Sequence, residues 1–337
     1  MIFFYFGLSL SCNSHNRGEY RLEQEPMSEV AEWVTAADLD GDGNDELLIF
    51  NDGVLELQQS NQRKIQIDSA PKIAIKHRQG NREIIYLASG TSREFPDAEL
   101  QIWKIDSTSE EVLWSSPKSQ IGDLQMGNKG LYLVYSSGQK LRGGWLTENG
   151  FQQVLEERLA LRQIPFGDNK IIVGRVYGEE KRSDGDLRIY DTNSSDFKKL
   201  YSLRGIRALA KSDLNRDGQD ELLVSDGWHF KYAQEAKARV VLYEGLADSF
   251  PRTIATFDNE YTVERIEAHS KLPLVLVRAP KFGYLIKLDD LGWKSEQLAK
   301  VGDKGNVVFV NEGSTVHIVA SGDPMTKYTL KRVSSNP

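Results

Sequence analysis

Short runs in which apolar and polar residues alternate recur along most of the chain, the period expected of β-strands with one buried face. LQIWKIDSTSEEVLW from Leu100, LRIYDTNSSDFKKLY from Leu187, VVLYEGLADSFPRTI from Val240 and YLIKLDDLGWKSEQL from Tyr284 share one plan. Each reads as a strand, a polar turn and a second strand, the signature of a β-hairpin. No amphipathic helical stretch stands out, and GNREIIYLA from Gly80 reads as a turn and a strand.

The hairpins repeat. Ile102, Ile189, Leu242 and Ile286 hold equivalent positions at separations of 87, 53 and 44 residues, and a period of about 40 to 50 residues implies a propeller or a solenoid. The first gap holds a further unit, LYLVYSSGQKLRGGWLTENGFQQVL from Leu131. Additional units lie upstream (ELLIFNDGVLELQQSNQRKIQI) and downstream (NVVFVNEGSTVHIVASGDPMTKYTLKRV). With four strands to a unit, units begin near Val30, Pro71, Gln120, Leu161, Ile206, Thr262 and Asn306. The last unit has room for only three strands, while GEYRLEQ from Gly18 precedes the first and has no partner of its own. A ring closes when a strand from one end completes the sheet at the other, which leaves no open edge at the seam. The expected fold is therefore all-β: a single propeller over 18–337, with seven four-stranded blades and the last completed by the N-terminal strand. A seam misread by one strand pair would give six or eight blades. β-Helix repeats are shorter, and sandwiches do not repeat at this period.

Composition adds two constraints. The net charge is −7, two short segments carry nine of the 49 acidic residues, and no basic stripe interleaved with aromatics appears, so nucleic acid is not the expected partner. The single cysteine, Cys12, closes the apolar run MIFFYFGLSLS. Such a run is too short to cross a bilayer as a helix but fits the apolar region of a secretory signal. LSLSC resembles the lipobox of bacterial lipoproteins. Residues 1–12 are accordingly expected to be an export signal, with Cys12 as the candidate lipidated residue. The protein would then be extracytoplasmic, either secreted or held at the cell envelope, and would meet a membrane only through that anchor.

The acid-rich segments are AADLDGDGNDELLIF and AKSDLNRDGQDELLV. In each, oxygen-bearing side chains occupy the first, third, fifth and ninth positions, with glycine at the sixth: Asp38, Asp40, Asp42 and Glu46, then Asp213, Asn215, Asp217 and Glu221. Calcium takes six to eight oxygens at flexible geometry, which alternating residues of a tight loop can supply. The backbone carbonyls of Asn44 and Gln219 would add one oxygen each. Gly43 and Gly218 permit the chain to reverse between ligands. An EF-hand would carry a glutamate at the twelfth position with helices on both sides. Here that position is Ile49 or Val224, inside β-branched apolar runs, so the loops join strands. Two Ca2+ sites are expected, the second weaker because Asn215 replaces a carboxylate and Arg216 adds positive charge.

These loops resemble those of the FG-GAP or VCBS repeat family, the propeller type also found in the headpiece of integrin α subunits, in which a DxDxDGxxD loop joins the first two strands of a blade. The resemblance covers both loops position by position, with Glu in place of the final Asp. The Phe-Gly and Gly-Ala-Pro signatures of that family are absent. It implies a calcium-binding module that engages a protein or carbohydrate ligand.

Three blades have long connections between their second and third strands: SGTSREFPDAE, VYGEEKRSDGD and SDGWHFKYAQEAKA. Long loops on a rigid scaffold are where ligands tend to bind. Trp228, His229, Lys231 and Tyr232, with Tyr177, Lys181 and Arg182 from the neighbouring blade, are the candidate ligand contacts, aromatic planes beside hydrogen-bond donors. No HExxH, GxSxG or dinucleotide fingerprint is present. The alternative is a propeller-based carbohydrate-active enzyme such as a polysaccharide lyase, which would need a basic pair and calcium lining one cleft.

Overall fold

The structure is a computed structural model that describes residues 20–58, 62–67, 69–90, 97–137, 140–158, 161–176, 185–227, 237–245, 251–289, 292–301 and 305–332. Every regular element among them is a β-strand. The strands form seven four-stranded sheets, antiparallel throughout and ordered sequentially from the axis outward, except at the seam. We number the blades 1 (33–66), 2 (71–116), 3 (119–157), 4 (162–203), 5 (209–257), 6 (265–300) and 7 (307–332). Their innermost strands begin within a few residues of the expected unit starts.

Blade 7 takes its fourth, outermost strand from the beginning of the chain. Tyr20–Pro26 pairs antiparallel with Thr326–Arg332 along its whole length, from Tyr20 opposite Arg332 to Pro26 opposite Thr326. That pairing satisfies a row of backbone donors and acceptors that would otherwise template association with another chain. Among the described residues, no helix is long and apolar enough to cross a membrane.

Inner strands such as Trp33–Ala37 and Glu221–Asp226 bury every residue, because successive side chains point to opposite faces and each blade is sandwiched between two others. The buried residues accordingly fall into seven clusters, one for each interface of the ring. Blades 1 and 2 meet through large side chains such as Trp33, Leu48, Phe50, Leu57, Ile85 and Leu87. The interface that closes the ring, between blades 7 and 1, is built from smaller ones: Ala31, Val34, Ala36, Ile49, Val308, Val310, Val319 and Met325. Apolar area sets most of the burial free energy, at roughly 25 cal/mol per Å², so the closing interface gains less from packing alone.

Candidate functional site

Both acidic loops join the first and second strands of a blade: the first runs between Trp33–Ala37 and Glu46–Asn51 in blade 1, the second between Leu209–Ser212 and Glu221–Asp226 in blade 5. They share one backbone. Each opens with a tight reversal in which Leu39 N–H donates to the Ala37 carbonyl (3.0 Å) and Leu214 N–H to that of Ser212 (3.0 Å). Both leucines are buried and fix the loop's base. The ninth-position carboxylates then accept from those same N–H groups, Leu39 to Glu46 Oε2 at 2.8 Å and Leu214 to Glu221 Oε2 at 2.6 Å. The first-position aspartates accept from the sixth-position glycines, Gly43 to Asp38 Oδ2 at 3.2 Å and Gly218 to Asp213 Oδ2 at 2.9 Å. Gly43 and Gly218 lie at φ +92° and +87°, a region that L side chains rarely adopt.

This folding draws acid oxygens together. In the first loop one oxygen from each of Asp38, Asp40 and Asp42 lies within 4.8 Å of the other two, and in the second the same holds for Asp213, Asp217 and Glu221. Glu46 stands outside the first trio and holds the Leu39 amide. Asn215 directs Nδ2 to Asp217 Oδ2 (3.0 Å) while its Oδ1 accepts from Asp217 N–H (2.9 Å). Asn44 and Gln219 donate their backbone N–H groups to Asp42 Oδ1 (2.7 Å) and Asp217 Oδ1 (2.8 Å). Burial, and then the charges of Asp217 and Asp213, push the Glu221 carboxyl up to about 7, against amide bonds from Leu214 and Asn215 that lower it. Arg216 adopts φ +63° where the first loop has Gly41 at +84°, and its guanidinium donates to the Lys271 carbonyl in blade 6.

One residue of the first loop does something its sequence pattern did not announce. Asp45, whose side chain is 2% exposed, accepts from Asn311 N–H (2.9 Å) and Nδ2 (3.0 Å) and lies 3.7 Å from Lys76 Nζ. Its own N–H donates to the Asn311 carbonyl at 2.7 Å, and Asn44 forms a backbone bridge with Glu312. On the other flank, Glu83 N–H donates to the Asp38 carbonyl (2.7 Å) and Asp38 N–H to Glu83 Oε2 (3.2 Å). The first loop thus ties blade 7 to blade 2 across blade 1, at the ring's least bulky interface. Its counterpart Asp220 is 41% exposed and, among the described residues, pairs with Lys211 alone, at 3.3 Å. The repetition of Asp-Glu-Leu-Leu in both loops was the available signal for Asp45, but it could not show which copy lies beside a seam.

The long connections leave from the opposite ends of the strands. Trp228, His229, Lys231, Tyr232, Tyr177, Lys181 and Arg182 lie outside the described residues, as does Cys12. The bases of two of these connections are held by ion pairs to buried aspartates. Asp226, with a fully buried side chain, binds Arg204 (3.2 Å) and Arg239. Burial raises its pKa, yet the hydrogen bonds from Arg204 and Arg239 prevail and the net shift is downward. In blade 4, Asp186 accepts from Arg188 Nη2 at 2.8 Å, with Arg175 at 3.9 Å. His269 and His317 are both buried, and His269 has a defined tautomer. Its Nδ1 accepts from the N–H groups of Lys271 and Leu272 (3.0 and 3.1 Å), so Nε2 carries the proton and meets Asn311 Oδ1 at 3.2 Å. His317 bridges Thr329 Oγ1 (3.0 Å) and Glu312 Oε2 (3.1 Å).

No family model matches the chain, and no curated protein does. Among solved structures, a streptogramin B lyase is similar with a TM-score of 0.57 at 13% identity, over 93% of this chain and 98% of that one. A catalytically inactive variant of virginiamycin B lyase from Staphylococcus aureus, with quinupristin, gives 0.55 at 11% identity, over 93% of this chain and 100% of that one. The extracellular domain of a protein described as a putative one-component system, from B. thetaiotaomicron, gives 0.54 at 13% identity, over 94% of this chain and 40% of that one. At these identities the likeness establishes the seven-bladed propeller fold alone.

Proposed function

We propose that this protein is a calcium-binding β-propeller that serves outside the cytoplasm as a binding or scaffold module for a protein or carbohydrate ligand. The observation that carries the reading is the duplication of one loop geometry in blades 1 and 5, each with three carboxylate oxygens within 4.8 Å of one another. Like charges at that distance repel, and a divalent cation among them reverses the sign of the interaction. The donors are all hard oxygens on flexible loops, which suits Ca2+ better than the rigid octahedron of Mg2+. Asp38, Asp40 and Asp42 would hold one ion and Asp213, Asp217 and Glu221 the other, with Glu46 and Asn215 at the margin of each.

A scaffold role is supported by the separation of parts. The acidic loops occupy the ends of the blades where first and second strands join, whereas the long connections rise from the opposite ends, on bases held by Arg204–Asp226 and Arg188–Asp186. A lyase of the kind considered above would set metal and base in one cleft. The resemblance to the extracellular domain from B. thetaiotaomicron accords with an extracytoplasmic location.

Thermal melts with calcium and with chelator test the metal. A ligand at 100 times its dissociation constant stabilises the folded state by about 2.7 kcal/mol, so calcium is expected to raise the midpoint by several degrees. Asp40→Ala and Asp217→Ala should each remove part of that shift and the double variant all of it. An unchanged midpoint in every arm would refute the metal assignment.

A further inference from the structure

Three arginines converge on the axis at the mouth from which the long connections rise. Arg162 opens the innermost strand of blade 4 (Arg162–Pro165), Arg265 that of blade 6 (Arg265–Ala268), and Arg207 precedes that of blade 5 (Leu209–Ser212). The guanidinium of Arg162 donates to the carbonyls of Gly122 in blade 3 and of Arg207, and reaches the Glu264 carbonyl at 3.5 Å. Arg265 extends across the ring to the Ala74 carbonyl of blade 2, at 2.8 Å. Carbonyl oxygens satisfy N–H geometry without cancelling a full positive charge. Arg207 makes no side-chain hydrogen bond or ion pair among the described residues, and its Nε is buried without a partner.

The acids nearby are shared with other cations. Glu264 is taken by Arg278, and Lys76 by Asp45. Asp123 faces Arg162 and Arg265, while Glu267 faces Arg265 and also Lys76. Burial pushes the Asp123 carboxyl up, the nearby Arg162 charge opposes that shift, and Leu124 N–H and Gln125 Nε2 already occupy its Oδ1. Burial and mutual repulsion lower the pKa of Arg162, for which Arg207 is one of the repelling groups. The three side chains are half-buried, not sealed.

We propose that Arg162, Arg207 and Arg265 form an oxyanion-binding site at this end of the ring axis, which takes the carboxylate or phosphate group of a small ligand, with Arg207 as its free donor. A planar guanidinium matches the two oxygens of either group. The site does not depend on the calcium reading, since it lies at the opposite end of the strands from the acidic loops.

Titration calorimetry on the full chain decides it, with inorganic phosphate and acetate in separate arms at constant ionic strength. Chelator is present throughout, so that neither anion acts through calcium, and sodium chloride is the control. Saturable binding of phosphate, acetate or both is expected, and the stronger arm identifies the group. Arg207→Gln should weaken that binding about ten-fold or more, the loss of one charge-assisted hydrogen bond. Arg207→Lys, which keeps the charge, should retain part of it, and Arg252→Gln on the outer surface should change nothing. Binding that is absent in both arms, or equal in wild type and Arg207→Gln, overturns the proposal. Should Arg207→Gln fail to fold, as judged by circular dichroism, the wild-type titration and Arg207→Lys still decide, and unaltered affinity in the latter would count against Arg207.

Discussion

Asp45 and Asp220 occupy the same position of two nearly identical loops, yet they should differ when removed. Asp45→Ala would strand the Asn311 amide donors and the partly buried Lys76 ammonium, at a cost of about 2 kcal/mol or more. Asp220→Ala removes one exposed pair and should cost within about 0.5 kcal/mol. Denaturant midpoints of the two variants check this, and equal losses would contradict the clasp. His269 supplies a pH dependence. Its Nδ1 accepts two backbone N–H groups, so protonation would break both bonds, and burial first of all holds its pKa down at about 4 against 6.5 for a free imidazole. The unfolded chain therefore takes up a proton that the folded one refuses. This contribution is complete above pH 6.5, declines as the pH falls and is exhausted near 4. His269→Gln should flatten that limb of a stability–pH curve measured by chemical denaturation, and an unaltered limb would show that other groups set it.

At the scale of the strand, the seam offers the clearest test. Tyr20–Pro26 contributes Tyr20 to the core between blades 6 and 7, and Leu22 packs against it. Deleting these residues exposes the whole edge of Thr326–Arg332, a template for a second chain. The truncated protein should melt at a lower temperature and elute partly as oligomers in size-exclusion chromatography. A monomer of unchanged midpoint would mean that the closing strand is dispensable. The deficit of one strand in the last repeat and the surplus of one at the start were both legible in the sequence, because β-pairing obeys a count. Arg188 meets Asp186 two residues away on one strand, which the strand period allows, but the meeting of Arg204 with Asp226 was not legible, because the fold of the loop base brings it in from 22 residues away.

For the molecule as a whole, the first loop links its proposed ion to ring closure. Calcium bound there, as proposed, would order Asp38–Glu46 and with it the backbone that grips Asn311 and Glu83. Chelation should therefore increase hydrogen exchange in Val307–Glu312 and at the start of Arg82–Ser89, an effect that Asp40→Ala reproduces and Asp217→Ala does not. Equal effects of the two variants would show that the seam is not specially coupled to the first loop.

The sequence by itself determined the repeat, the closing strand and the two oxygen-rich turns, since each depends on alternation, turn chemistry or ligand spacing within some tens of residues. Only the tertiary structure decided that Asp45 meets Asn311, that the closing interface is the one built of small side chains, and that Arg265 reaches Ala74, 191 residues away. Those contacts arise where separate blades converge, and the curvature that brings them together belongs to the ring and to no single segment.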